Sequence, residues 1–144
     1  MAEGSEVGGE VEAVLAGARV IAVLGAHVQE QKPAFYVPEY LHGQGYRILP
    51  VNPAFLSEKR WGESFRRLLA EIEEPVDVVN VFRRSAAVPD HVEDILAMTP
   101  RPRWVWLQLG VRSDRAAAQL ERAGVTVIQD RCLLADHRAW RAGR

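Results

Sequence analysis

Hydrophobic positions along the chain fall into short continuous runs separated by stretches with helical spacing. Arg19-Val20-Ile21-Ala22-Val23-Leu24 is an apolar run ending at Gly25, and Arg47-Ile48-Leu49-Pro50-Val51 is a second, closed by Asn52-Pro53. Val76 to Phe82, Arg103 to Leu109 and Val125 to Ile128 repeat the pattern, with Trp104 and Trp106 on one face of their run. Unbroken apolar runs of this length read as strands buried on both faces, since half-exposed strands alternate. Between them, Ala34 to Gln44 puts Phe35, Val37, Tyr40 and Leu41 on one helical face, and Pro38 is tolerable only near its first turn. Ala86 to Met98 has helical spacing through Val88, Val92, Ile95 and Leu96. Ser113 suits the N-cap of a helix over Asp114 to Ala123, which Gly124 ends. Short helices are expected over Val7 to Leu15 and Ser64 to Ala70, and a last one over Leu133 to Trp140, packed on an edge of the sheet.

Strands alternating with helices predict an α/β fold, a Rossmann-like three-layer α/β/α arrangement around a mainly parallel five-stranded sheet. Right-handed crossovers favour the order 3-2-1-4-5, with a ligand crevice at the strand carboxyl ends beside the switch point between strands one and four. The whole chain, residues 1–144, reads as one domain, with residues 1–10 expected to be disordered. Five segments meet the crevice: Gly25 to Phe35, Asn52 to Arg60, Phe82 to Val88, Gln108 to Val111 and Gln129 to Cys132.

The chemistry of these segments suits a phosphorylated nucleotide. The first joins a strand to a helix, where free N–H groups and the helix dipole attract phosphate and Lys32 adds a charge. After Gly25 come Ala26 and His27, so the G-x-G-x-x-G pattern is absent and a plain turn competes with this reading. His27 can donate to a phosphate. Dinucleotide-binding units carry an acid near the end of the second strand for the ribose hydroxyls, whereas this chain has Asn52-Pro53 with Lys59 and Arg60 downstream. A neutral strand end fits a ligand with an extra phosphate on its adenosine, as in NADP or coenzyme A; the competing reading is a turn with two solvated bases. Arg83-Arg84-Ser85 leaves the third strand with planar donors for phosphate oxygens and a serine able to cap a helix, although arginines there also serve surface ion pairs. Gln108-Leu109-Gly110 offers amides and open backbone for a pantetheine arm. His42 and His91 read as surface or packing residues. Cys132 and His137 lie five apart across a helix start, which gives no assured nucleophile and base pair.

Composition narrows the partners. Eighteen basic against nineteen acidic residues leave a net charge of -1, which provides no field for nucleic acid or an anionic membrane. Cys132 is the single cysteine, so there is no internal disulfide and a reducing, cytoplasmic setting is the expectation. No apolar stretch approaches the ~20 residues that span a bilayer.

Taken in order, Ile21 to Gly25, Gly45-Tyr46-Arg47-Ile48 through Val51-Asn52-Pro53, Pro75 to Val79, Val81 to Ser85, Val88-Pro89, Trp104 to Gly110 and Asp130-Arg131-Cys132 resemble the stand-alone CoA-binding domain family. This family is related to the amino-terminal domain of the succinyl-CoA synthetase α subunit. The resemblance implies that the Gly25 loop, with Ala26, His27, Lys32, Pro33 and Ala34, holds phosphates and that Phe35 belongs to the same cofactor site. It implies that Asn52 and Pro53 border the adenosine, and that Phe82, Arg83, Ser85, Val88, Gln108, Leu109 and Gly110 line the ligand. Ala54 stands where synthetase-like relatives often carry lysine. The expected function is binding of coenzyme A or acyl-CoA without catalysis, with a protein partner or homo-oligomer left open. The alternatives are an NADP-linked oxidoreductase and a structural partner subunit with a vestigial pocket.

Overall fold

The computed structural model describes residues 8–144; residues 1–7, within the stretch expected to be disordered, lie outside the described residues. Helix α1 spans Gly9–Gly17 and leads into β1 (Val20–Leu24), α2 (Pro33–Gly43) and β2 (Arg47–Val51). A hairpin of β3 (Lys59–Arg60) and β4 (Glu63–Ser64) precedes β5 (Val78–Val81), α3 (Val92–Leu96), β6 (Trp104–Gln108), α4 (Asp114–Arg122), β7 (Thr126–Arg131) and α5 (Leu133–Ala142). The five long strands form one parallel sheet.

The sheet order is β2-β1-β5-β6-β7, which is 2-1-3-4-5 when the long strands are counted. The expected 3-2-1-4-5 is therefore corrected: the third long strand pairs with β1, and the switch point lies between β1 and β5. Pro50 gives the physical reason. It lacks an N–H, so a second long strand flanked on both sides would lose a ladder bond, and prolines in sheets belong on edges. As an edge strand, β2 makes use of the same residue, whose carbonyl accepts from Arg66 N on the outer side at 3.1 Å.

Side-chain alternation divides the core into two layers. Ile21, Val23, Ile48, Val78, Trp104, Trp106 and Ile128 face Val11, Val14 and Leu15 of α1, Val37 and Leu41 of α2, and Leu133 of α5. Ala22, Leu24, Leu49, Val51, Val79, Val81, Val105, Leu107 and Val127 face the opposite layer, built from Leu69, Ile72, Val88, Val92, Ile95 and the α4 residues Ala116, Ala117 and Leu120. Helix α5 thus covers a face of the sheet beside α1 and α2, and not one of its edges.

Local chemistry explains most elements and two departures. Ser113 Oγ accepts from Ala116 N at 3.2 Å and caps α4 as expected. Ala86 to Met98 is not one α-helix: Ser85–His91 winds as a 3₁₀ helix before α3. Ser85 opens that turn without capping it. The expected helix over Ser64 to Ala70 shrinks to a 3₁₀ turn at Leu69–Glu71, because residues 59–64 form a two-stranded hairpin. Its turn residues, Trp61 and Gly62, both have positive φ, the requirement of a two-residue hairpin turn that matches strand twist. Trp61 is held there by its ring, 5.6 Å from that of Phe35, and by its Nε1 donating to Glu39 at 2.7 Å. Among the described residues no helix is long and apolar enough to cross a membrane.

Candidate functional site

The carboxyl ends of β1, β2 and β5 enclose a recess of about 150 Å³, lined by Leu24, Gly25, Val51, Asn52, Pro53, Arg67, Leu68, Arg83, His91 and Asp94. A small-ligand pocket usually measures about 300–1,000 Å³, so this recess holds one end of a ligand whose remainder runs along the open rim. A larger hollow, about 380 Å³, lies by Arg19, Tyr46 and Trp140 at the amino ends of β1 and β2; it is shallower and away from the switch point.

Gly25 is the hinge of the recess. Its φ is +89°, and a Cβ there would overlap the Phe82 carbonyl oxygen and approach Arg83 Cδ at 3.3 Å. Its N–H donates to Val51 O at 2.8 Å, and Phe82 N donates to Leu24 O at 2.8 Å, so the backbone lies close to both neighbouring strand ends. Asn52 ties the first two loops together: its Nδ2 donates to Ala26 O at 2.9 Å and its Oδ1 accepts from Ala54 N at 2.9 Å. Pro53 forms the rim beside it.

The loop into α2 is closed on itself. His27 N donates to the carbonyl of Ala34 at 3.2 Å, and Lys32 O accepts from Phe35 N and Tyr36 N. Pro38 makes the first of these bonds available. Its position in α2 is one where an N–H would ordinarily bond Ala34 O, and a proline leaves that carbonyl free. Pro38 therefore sits farther into the helix than expected, with the orphaned acceptor satisfied by the loop. Pro33 opens the helix, and Ala34 N has no partner among the described residues. His27 Nδ1 accepts from Val28 N and Gln29 N at 3.0 and 3.1 Å. Because Nδ1 accepts both amides, a ring proton is carried on Nε2; burial, with Lys32 adding to it, holds this histidine below its ordinary pKa.

Arg83 lines the recess, its Nε donating to His91 Nε2 at 3.3 Å. Burial first, and the guanidinium second, lower the pKa of His91, consistent with a neutral acceptor. Arg84 is exposed and lies outside the recess. Asp94 accepts from Leu69 N and Ala70 N at 2.8 and 3.0 Å, and Glu71 Oε1 accepts from Arg67 N and Leu68 N at 3.1 and 3.4 Å. Two carboxylates thus grip four successive amides and fix the segment carrying Arg67.

Other candidates fill different roles. Phe82 backs Gly25 through its main chain, while Val88 is buried in the core. Ser85 Oγ accepts from Arg112 N at 2.9 Å and donates to Gly110 O at 3.4 Å, lacing the β5 loop to the β6 loop. Gln108 is turned inward: its Oε1 accepts from Asn80 Nδ2 and Leu133 N. Asn80, which the sequence did not single out, is fully buried in β5, and its Oδ1 has no partner among the described residues. Leu109 is exposed, and Gly110 N donates to Asp130 Oδ1 at 2.7 Å. Arg60 pairs with Glu58, and neither Lys59 nor Arg60 lines the recess. Cys132 is half-buried at the start of α5, where its neighbour Arg131 is held by Asp136 through two bonds of 2.6 and 2.9 Å. His137 is buried with Nδ1 on the Tyr40 hydroxyl at 2.8 Å, which does not form a pair with Cys132.

The sequence model of the CoA binding domain family matches residues 19–138. The uncharacterized protein YneT of Bacillus subtilis is 34% identical over 128 residues, 89% of this chain and 92% of YneT. A cell-free protein of Thermus thermophilus, ID.343, superposes with a TM-score of 0.85 at 46% identity, over 90% of this chain and 95% of its own. A hypothetical protein from Pyrococcus horikoshii OT3 has a TM-score of 0.82 at 24% identity, over 90% and 88% of the two chains, and shares the fold.

Proposed function

The chain belongs to the CoA binding domain family, and from that premise we propose that coenzyme A or an acyl-CoA binds at the recess and along the rim, without chemistry performed by this chain. The observation that carries the reading is Gly25. A positive φ and a contact too close for any side chain bring bare backbone to the switch point, on the loop that runs through Lys32 to the amino terminus of α2 and its Ala34 N–H, unpartnered among the described residues. Such a loop before a helix amino terminus accepts a pyrophosphate.

Arg83 supplies a guanidinium for the phosphates, and the apolar walls of Leu24, Val51, Pro53 and Leu68 suit the flat face of adenine. Asn52 has both ends of its amide engaged by the backbone, and no acid stands at the end of β2 for free ribose hydroxyls, which favours coenzyme A over NAD. The absence of catalysis is inferred from how the reactive groups are engaged. His27 Nδ1 faces backbone amides, His91 meets Arg83, His137 meets Tyr40, and among the described residues no nucleophile, base and orienter are assembled around them.

Coenzyme A at a hundred times its Kd should stabilise the protein by about 2.7 kcal/mol, and NAD and NADP at the same concentration by much less. Arg83→Ala should remove about 1.5–3 kcal/mol of binding free energy through loss of a charged hydrogen bond, while Arg84→Ala changes little. Thermal unfolding with each ligand and calorimetry of the two variants test this. Equal shifts with all three ligands, or a larger loss for Arg84→Ala, would overturn the assignment.

A further inference from the structure

We propose that Arg67 recognises the phosphate on the adenosine ribose and so discriminates coenzyme A from its dephosphorylated form; this rests on the coenzyme A reading of the recess. Its guanidinium makes no hydrogen bond or ion pair among the described residues, although Arg67 lines the same recess as Arg83. The neighbouring arginines are occupied: Arg66 by Glu63 and Ser64 O, Arg60 by Glu58 and Lys59 O. Arg67 thus shares a recess with Asn52 and Pro53, where the second strand ends, the position at which this fold holds the ribose.

The backbone of Arg67 is fixed for that role. Glu71 and Asp94 grip the amides of residues 67–70, and Asn52 N donates to Arg66 O at 2.9 Å, so the loop that delivers the guanidinium is anchored to the strand that delivers the ribose. Asp94 also lines the recess, and both of its oxygens already accept backbone N–H bonds, which reduces its repulsion of an incoming phosphate. A planar guanidinium matches two phosphate oxygens, whereas a hydroxyl in the same place offers it a single weak acceptor. Discrimination follows from the charge that the extra phosphate adds.

Isothermal titration of the whole chain with coenzyme A and 3′-dephospho-coenzyme A provides the test. Wild-type protein should prefer the phosphorylated ligand by about tenfold. Arg67→Ala should bring the two within about twofold by weakening coenzyme A alone, Arg67→Lys should keep part of the preference, and Arg60→Ala should keep all of it. Adenosine 3′,5′-bisphosphate against adenosine 5′-phosphate should repeat the pattern on the smaller ligand. A wild-type protein that binds both forms equally overturns the proposal and leaves the coenzyme A reading intact. A preference that survives Arg67→Ala, or a parallel loss of both ligands, overturns it as well. Wild-type protein that binds neither form removes the coenzyme A reading itself.

Discussion

A methyl group at position 25 has nowhere to go. The Phe82 carbonyl fills the space, and the backbone conformation is one that side chains adopt only under strain. Gly25→Ala should destabilise the fold by about 2–4 kcal/mol and abolish ligand binding, since the strand end must move to relieve the overlap. Gly110→Ala isolates the conformational part. Its φ is +86° but nothing lies within 4 Å of the added carbon, so a cost of about 1–2 kcal/mol is expected. Denaturant titration of both variants measures the difference, and equal costs would show that the crowding at Gly25 is relieved cheaply. Position in the chain made Gly25, Asn52 and Arg83 legible as crevice residues, because each follows an apolar run that ends at the same rim. Arg67 was not legible. It lies beyond the hairpin, in a stretch that reads as helix, and what distinguishes it from Lys59 and Arg60, the bases nearer Asn52 in sequence, is that it lines the recess with no side-chain partner among the described residues.

Elements show how a local cost is placed. Proline in a helix interior ordinarily destabilises by about 3 kcal/mol, partly through the bond it cannot make. In α2 the carbonyl left over by Pro38 receives His27 N and closes the loop between β1 and α2. Pro38→Ala should therefore raise the melting temperature while weakening coenzyme A binding, as the restored N–H competes with the loop for Ala34 O. A melting curve and a titration of the same variant check both halves. Tighter binding together with higher stability would show that the proline serves some other purpose. The strand order was partly legible at this scale: Pro50 inside β2 marks an edge strand, a sign that the crossover rule does not use. The segment between Ser64 and Ala70 misled because Phe65, Leu68 and Leu69 have helical spacing. What the spacing omits is that Glu71 and Asp94 satisfy its amides from outside, making a helix unnecessary there.

At the scale of the whole molecule, histidines held below their ordinary pKa tie stability to acidity. His137 is buried among Tyr40, Tyr46 and Trp140, and burial, then Arg141, depresses its pKa. His27 and His91 are shifted the same way, burial again leading. A folded state that resists protonation binds fewer protons than the unfolded chain, so this contribution is complete above about pH 6.5 and is lost as pH falls through the depressed values. Melting temperature should drop from roughly pH 7 to roughly pH 5, and His137→Gln should flatten part of that drop. An unchanged slope in the variant would assign the acid sensitivity to other groups.

The rim at the strand carboxyl ends is laced from side to side. Asn52 reaches Ala26, Phe82 reaches Leu24, Ser85 reaches Arg112 and Gly110, and Gly110 reaches Asp130. Loops bound to one another in this way have little freedom left to lose when a ligand arrives. A ligand meeting this rim should then associate without a preceding rearrangement, at a rate proportional to its concentration, and differences in affinity among ligands should appear in how long each one stays.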